Sequence, residues 1–267
     1  MKRVFLGLLI VFFLFGCGGG NSEKAPQSNL KPIDHQWTDY SALLTDYVAD
    51  GLVDYKTLKA DRPRLDALVD VIATADLSQC SDDRQLAFYL NAYNILVLRS
   101  VIDAYPIASI QDIKGVWDKN EWTVSGDQFT LNDLEEDVIR GEFGEPKIHF
   151  ALAKAAKGGP KLQAVPFIGD ILGEQLAKAG KDFATDTKYN WIDPERKKVG
   201  LSKIFEWYGE DFHKKYYLPG VMLTLCQEDN AAVNFILSYY PKDRRAELQQ
   251  INFTAQYLDF DWSLNEQ

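Results

Sequence analysis

Asn91 and Asn94 stand three apart in the apolar run QLAFYLNAYN over residues 85–94, a spacing that puts both amides on one face of a helix. Buried amides need hydrogen-bond partners, so the pair either ties its helix to adjacent loops or meets a ligand. Gln85 falls on a different face of the same helix. Glu135 raises a sharper question. Leu131, Leu134, Val138 and Ile139 form one apolar arc of a short helix, and Glu135 lies inside that arc, which aims a carboxylate at the core. Burying an unpaired carboxylate is expensive, and the same placement is how a carboxyl group is tuned for acid–base chemistry. It is therefore either a structural hydrogen-bond acceptor or a catalytic acid.

His149 lies in KIHFALAK, residues 147–154, and Gly158, Gly159 and Pro160 close the segment. A histidine there is a satisfied core residue or a base. Glu136 and Arg140 are an i, i+4 pair in the favourable order, expected at the surface. Lys154 is expected to be solvated, with a nucleophilic or anion-binding role as the alternative. The three histidines, His35, His149 and His213, lack a ligand pattern, so no metal is expected. The sequence contains no phosphate-binding glycine loop, nucleophile elbow or zincin helix, and no cofactor is expected.

These side chains must be positioned by a domain read as α+β and mainly helical, with a central buried helix and short β-hairpins. Helical spacing predicts helices over 38–53, 64–73 and 83–104, the last apolar on every side and therefore central. Ser125, Gly126 and Asp127 predict a hairpin over 117–131. Thr130 and Asp133 form a capping signature for a helix ending near Arg140. Further helices are expected over 164–179 and 202–212, a hairpin over 191–201 and a strand within 250–260.

The N-terminus carries a different signal. Lys2 and Arg3 precede an unbroken apolar run from Val4 to Phe15, too short to span a bilayer, which needs about 20 apolar residues. The run ends in Leu14, Phe15, Gly16 and Cys17, which resembles the bacterial lipoprotein box. That resemblance implies cleavage before Cys17, a diacylglyceryl group on its sulfur and an acyl chain such as palmitate on its amine. Residues 1–16 are then a signal peptide, 17–34 a flexible tether and 35–267 a single globular domain. Gly18 follows the cysteine where an inner-membrane retention aspartate would sit, which favours the periplasmic face of the outer membrane. Without Lys2 and Arg3, 27 of the 29 basic residues face 39 acidic ones, a net of −12. Nucleic acid is excluded as a natural partner, and attachment to a membrane must come from the lipid on Cys17 rather than from a basic face. Cys80 and Cys226 remain, as two buried free thiols or as a disulfide in an oxidising compartment.

The residues together resemble the family catalogued as domain of unknown function 547. The matching segments are Val53, Asp54 and Tyr55; QLAFYLNAYN at 85–94; Tyr105, Pro106, Ser109 and Ile110; residues 131–140; IHFALAKAAKGGPKL at 148–162; 201–212; and DWSLN at 261–265. The resemblance implies shared framework residues at Gln85, Asn91, Asn94, Glu135, Arg140 and His149. It also implies a thiol chemistry that cannot be carried over. Many members have cysteines where this chain has Lys154 and Gly159, and a histidine where it has Glu136. Arg140 is raised by the resemblance to a pocket candidate.

Three functions compete on these grounds. The first is a non-catalytic, lipid-anchored binding or assembly protein of the envelope, with Gln85, Asn91, Asn94, Arg140 and Lys154 as candidate binding residues. The second is a hydrolase or transferase using Glu135 and His149 as acid and base in a polar cleft, which requires the two side chains to approach within hydrogen-bond reach, directly or through one water. A redox protein using Cys80 and Cys226 is the third.

Overall fold

The computed structural model describes residues 30–267, so the expected signal peptide and the Cys17 lipidation site lie outside the described residues. Apolar spacing and turn chemistry set most of the elements. After the short strand β1 (Lys31–Pro32) come helix α1 (Thr38–Tyr47), the two-residue strands β2 (Val48–Ala49) and β3 (Leu52–Val53), and helices α2 (Tyr55–Ala60) and α3 (Arg62–Ala73). Strand β4 (Ala75–Asp76) pairs in parallel with β1, and helix α4 (Asp82–Ala104) comes next. It is the 23-residue helix expected from an all-round apolar sequence, and its middle is buried without interruption from Leu90 to Leu98. It stops at Tyr105, because the next residue is Pro106.

Strands β5 (Trp122–Val124) and β6 (Asp127–Phe129) form the expected hairpin, with Ser125 and Gly126 both at positive φ in its turn. The expected capping box is present: Thr130 Oγ1 accepts from the Asp133 amide while the Asp133 carboxylate accepts from the Thr130 amide. It opens a helix in three parts, α5 (Leu131–Asp133), a seven-residue π-helix (Leu134–Arg140) and α6 (Gly141–Phe143). A 3-10 turn at Pro146–Phe150 carries His149. Then come α7 (Leu172–Thr185), the hairpin β7 (Trp191–Asp193) and β8 (Lys198–Leu201), α8 (Lys203–Trp207), α9 (Gly209–Tyr216), α10 (Gln227–Leu237), α11 (Lys242–Gln249) and β9 (Thr254–Tyr257). Strand β9 pairs in parallel with β8, giving a three-stranded sheet in the order β7-β8-β9. The architecture is α+β and mainly helical. Among the described residues no helix is long and apolar enough to cross a membrane.

Three helix expectations are corrected. The first ends at Tyr47 rather than Val53, because Asp50 and Gly51 both adopt positive φ and turn the chain into the β2–β3 hairpin. A side chain at Gly51 would put its Cβ 2.5 Å from that of Lys161, so glycine is required there twice over. The helix expected from Ala164 starts at Leu172. The residues before it stay outside the α-helix, because Asn91 takes both the amide and the carbonyl of Phe167 and Pro166 has no amide to give, and a 3-10 turn at Gly169–Ile171 leads into it. The helix expected over 202–212 breaks at Tyr208, at φ −119, and resumes as α9 to Tyr216. Helices α2, α10 and α11 have no counterpart among the sequence expectations.

Two hydrophobic clusters make up the core. One surrounds α4 and includes α1, α3, Leu134, Val138, Ile139 and Ile148. The other is built on α8, α9 and α10 and is dense in aromatic rings, with Phe150 stacked on Phe235 at 5.2 Å and Phe183 on Tyr189 at 4.6 Å. The 3-10 turn spans the junction, since Ile148 belongs to the first cluster and Phe150 to the second. His149 lies between them.

Candidate functional site

The π-helix is where the local sequence and the site meet. Its hydrogen bonds close over five residues, as in the bond from the Gly141 amide to the Glu136 carbonyl. Widening the turn brings residues five apart toward one side, so Glu135 and Arg140 both reach the junction between the two cores. Such π-turns recur at functional sites.

Glu135 is buried at 3% exposure, and its partner is Lys154, itself 7% exposed. The ammonium donates to both carboxylate oxygens, at 2.6 and 2.9 Å, and to the Tyr93 hydroxyl at 3.3 Å, so three acceptors use its three protons. The carboxylate accepts in addition from Tyr208 at 2.5 Å and Tyr93 at 2.9 Å. The rings of Tyr93, Trp117 and Tyr208 surround the ammonium with centroids 5.5 to 5.8 Å away. Burial pushes the Glu135 pKa up, but the adjacent Lys154 charge and its hydrogen bonds prevail and hold the carboxyl below its ordinary value. Burial next to this carboxylate pushes both tyrosine hydroxyls far above theirs. The expectation of a solvated Lys154 is therefore corrected: a buried carboxylate demanded a counter-charge, and Lys154 supplies it.

Tyr208 carries the network across to His149. Its hydroxyl bonds Glu135 while its ring lies flat on the imidazole, 3.8 Å between centroids at 14°. His149 Nε2 lies 2.8 Å from Asp211 Oδ2, and Asp211 also accepts from Arg140 Nε at 2.8 Å. The Arg140 guanidinium and the imidazole hold the Asp211 carboxyl well below the usual range despite its burial. An ionised carboxylate can only accept, so the proton sits on Nε2 and Nδ1 is the bare nitrogen. Burial lowers the histidine pKa against the pull of Asp211, and the contact is a hydrogen bond from neutral imidazole rather than an ion pair. His149 Nδ1 is buried and has no hydrogen-bond partner among the described residues. Arg140 does pair with Glu136 across one helical turn, as its spacing implied, and it also lies over the Tyr208 ring.

The structure thus brings Glu135, Arg140, His149 and Lys154 into one network, and Glu135 and His149 are joined through Tyr208 without a direct hydrogen bond. Gln85, Asn91 and Asn94 stay outside it. Gln85 donates to the Cys80 carbonyl at 3.0 Å. Asn91 brackets Phe167, and Asn94 accepts from the Ala153 amide and donates to the Ala151 carbonyl, each at 2.9 Å. Asn94 thereby fixes the strand of backbone that delivers Lys154. Tyr93, Tyr208 and Asp211 were missed by sequence reasoning. The one signal available was that Tyr208 and Asp211 fall i, i+3 at the start of a helix whose Phe212 is plainly core.

Two adjoining clefts lie elsewhere, with volumes of about 230 and 320 Å³. They share Asp50, Gly51, Pro160, Lys161, Asp186 and Tyr189, and no member of the Glu135 network lines either. The first has an apolar floor of Phe150, Leu162 and Phe183. The second includes Gly159. Among the described residues no group of histidine, cysteine, aspartate or glutamate side chains could hold a metal ion. Cys80 and Cys226 are free. Their expected burial is corrected: Cys80 is half-buried beside His35, and Cys226 is exposed because it caps α10.

Fold and site define a mainly helical α+β domain whose two cores meet at a buried, charge-paired junction. Residues 77–184 match the model of the family described as Protein of unknown function, DUF547. The match contains Gln85, Asn91, Asn94, Glu135, Arg140, His149 and Lys154, whereas Tyr208 and Asp211 come from beyond it. No curated protein and no solved structure matches the chain.

Proposed function

We propose that this chain is a lipid-anchored protein of the bacterial envelope, facing the periplasm from the outer membrane, whose domain binds or assembles rather than catalyses. The observation that carries the second half is the saturation of the Glu135–Lys154 pair. An ammonium whose protons are all donated has no lone pair for nucleophilic attack. A carboxylate held ionised by four donated hydrogen bonds has no proton to deliver as an acid. Binding would then fall to the clefts beside Lys161 and Tyr189. The Leu14, Phe15, Gly16, Cys17 box followed by a glycine-rich tether supports the anchor.

The two halves are tested separately. Mass spectrometry of the chain purified from membranes is expected to find a mature N-terminus at Cys17 bearing acyl chains, lost in Cys17→Ser. The purified protein is expected to turn over no ester, thioester or peptide substrate. Turnover abolished by His149→Gln in a folded protein would overturn the binding reading.

One observation favours the enzyme as a second reading. An aspartate on one imidazole nitrogen with the other nitrogen bare and unpartnered is the arrangement of a general base and its orienting acid. In that reading His149 is the base and Glu135 acts through Tyr208.

A further inference from the structure

The loop between α9 and α10 reads YLPGVMLTL over residues 217–225, apolar where a loop on an acidic protein is ordinarily polar. Two of its leucines stand in water. Leu218 is 43% exposed, and Leu223, at 73%, is the most exposed large hydrophobic side chain of the described residues.

The loop is built to hold them there. Asn230, 3% exposed, accepts from the Leu218 amide at 3.1 Å and donates to the carbonyls of Leu218 and Val221 at 3.3 and 2.9 Å. On the other limb, Asn252 accepts from the Leu223 amide at 2.9 Å and the Thr224 hydroxyl donates to the Phe253 carbonyl at 2.5 Å. Between them Met222 is buried at 1% with φ +48, a conformation that disfavours any residue with a Cβ. Plugging Met222 into the second core turns its neighbour Leu223 outward. The buried Asn230, the exposed Asn252 and a strained residue together display two leucines whose apolar area gains nothing from water.

We propose that this loop is a membrane-contact element, entering the interface of the bilayer to which lipid on Cys17 holds the chain. It rests on the lipoprotein reading above. The length of the tether brings this occupant within reach. The 13 peptide links from Cys17 to Leu30 reach about 45 Å when extended, at roughly 3.4 Å each. A domain of this size is itself about 45 Å across, from a radius of gyration near 18 Å. The anchor therefore keeps every face within reach of the bilayer, and surface chemistry selects the face that stays. Lys214 and Lys215 beside the loop are paired with Glu210 and Glu145, and the acidic Glu228 and Asp229 follow it in α10, so the contact is apolar rather than electrostatic.

The test uses the full-length, lipidated chain reconstituted in phosphatidylcholine vesicles, with and without anionic lipid. An environment-sensitive nitrobenzoxadiazole label is placed at Leu223→Cys in a Cys80→Ala, Cys226→Ser background, with Lys178→Cys as a control. The 223 label is expected to shift to the blue and be quenched by lipids spin-labelled on the acyl chain, equally in both vesicle types and at high salt. The 178 label is expected to remain water-like. A vesicle-bound, lipid-bearing protein whose 223 label remains water-like overturns the membrane contact and leaves the anchor standing. A blue shift without vesicles that grows with protein concentration assigns the loop to self-association, and also overturns it. An N-terminus without lipid refutes the anchor, and the membrane contact with it.

Discussion

Removing one member of the Glu135–Lys154 pair while leaving the other is the most discriminating perturbation of this domain. The two charges are almost wholly enclosed, at 3% and 7% exposure, and the Lys154 ammonium donates two of its three hydrogen bonds to Glu135. Lys154→Met leaves a carboxylate facing only two tyrosine hydroxyls, and Glu135→Gln leaves an ammonium inside an aromatic cage. Breaking such a pair costs about 3–5 kcal/mol, chiefly through the charge left behind, whereas replacing both members is often close to neutral. For a domain of this size each kcal/mol moves the melting temperature by about 2–4 °C, so each single variant is expected to melt about 6–20 °C lower. The double variant Glu135→Gln, Lys154→Met should recover most of that loss. The assay is urea unfolding followed by fluorescence of the six tryptophans and by far-ultraviolet circular dichroism. Coincident curves establish that the two cores unfold together, which the comparison requires. Single variants that each lose under about 1 kcal/mol, with additive losses in the double, would refute the assignment of a buried, mutually dependent pair.

Two more outcomes are expected from the same geometry. Because burial depresses the His149 pKa in the folded chain, the unfolded chain takes up the proton first as pH falls below about 6.5. The stabilising contribution is present above that pH and is lost as pH falls through the lower folded value; His149→Gln should flatten this part of the stability profile measured by urea midpoints. Asn91→Ala should cost about 2–3 kcal/mol by leaving the Phe167 amide and carbonyl without partners, and hydrogen exchange at Phe167 should accelerate. Unchanged protection there would show that Asn91 does not hold the loop.

Much of the frame was legible before any coordinates. Helix α4 could be read because its apolar residues fill every side and Pro106 stops it, and the 122–129 hairpin and Thr130–Asp133 box because their signals are local. The inward position of Glu135 was legible too, since the apolar arc around it is set by residues within two turns. Local signals failed where a distant partner took over the backbone. Apolar spacing alone extends the helix back to Ala164, yet Pro166 and Gly169 are poor helix residues and Asn91, from another element, claims the Phe167 backbone. The π-helix has no sequence signature in hydrophobic periodicity, because its widened turn depends on what its side chains meet.

The sequence by itself determined that a carboxylate at 135 would be buried, that a long apolar helix would run through the middle, and that segments from Val53 to Asn265 resemble one family. Only the tertiary structure decided what neutralises that carboxylate. Lys154 looks solvated in its local context of alanines and glycines, and Tyr208 and Asp211 lie more than fifty residues further along the chain. A charge's burial can be read from its neighbours on one helix, but its counter-charge is chosen by which segments the fold brings across the junction, and that choice is not encoded at any single spacing.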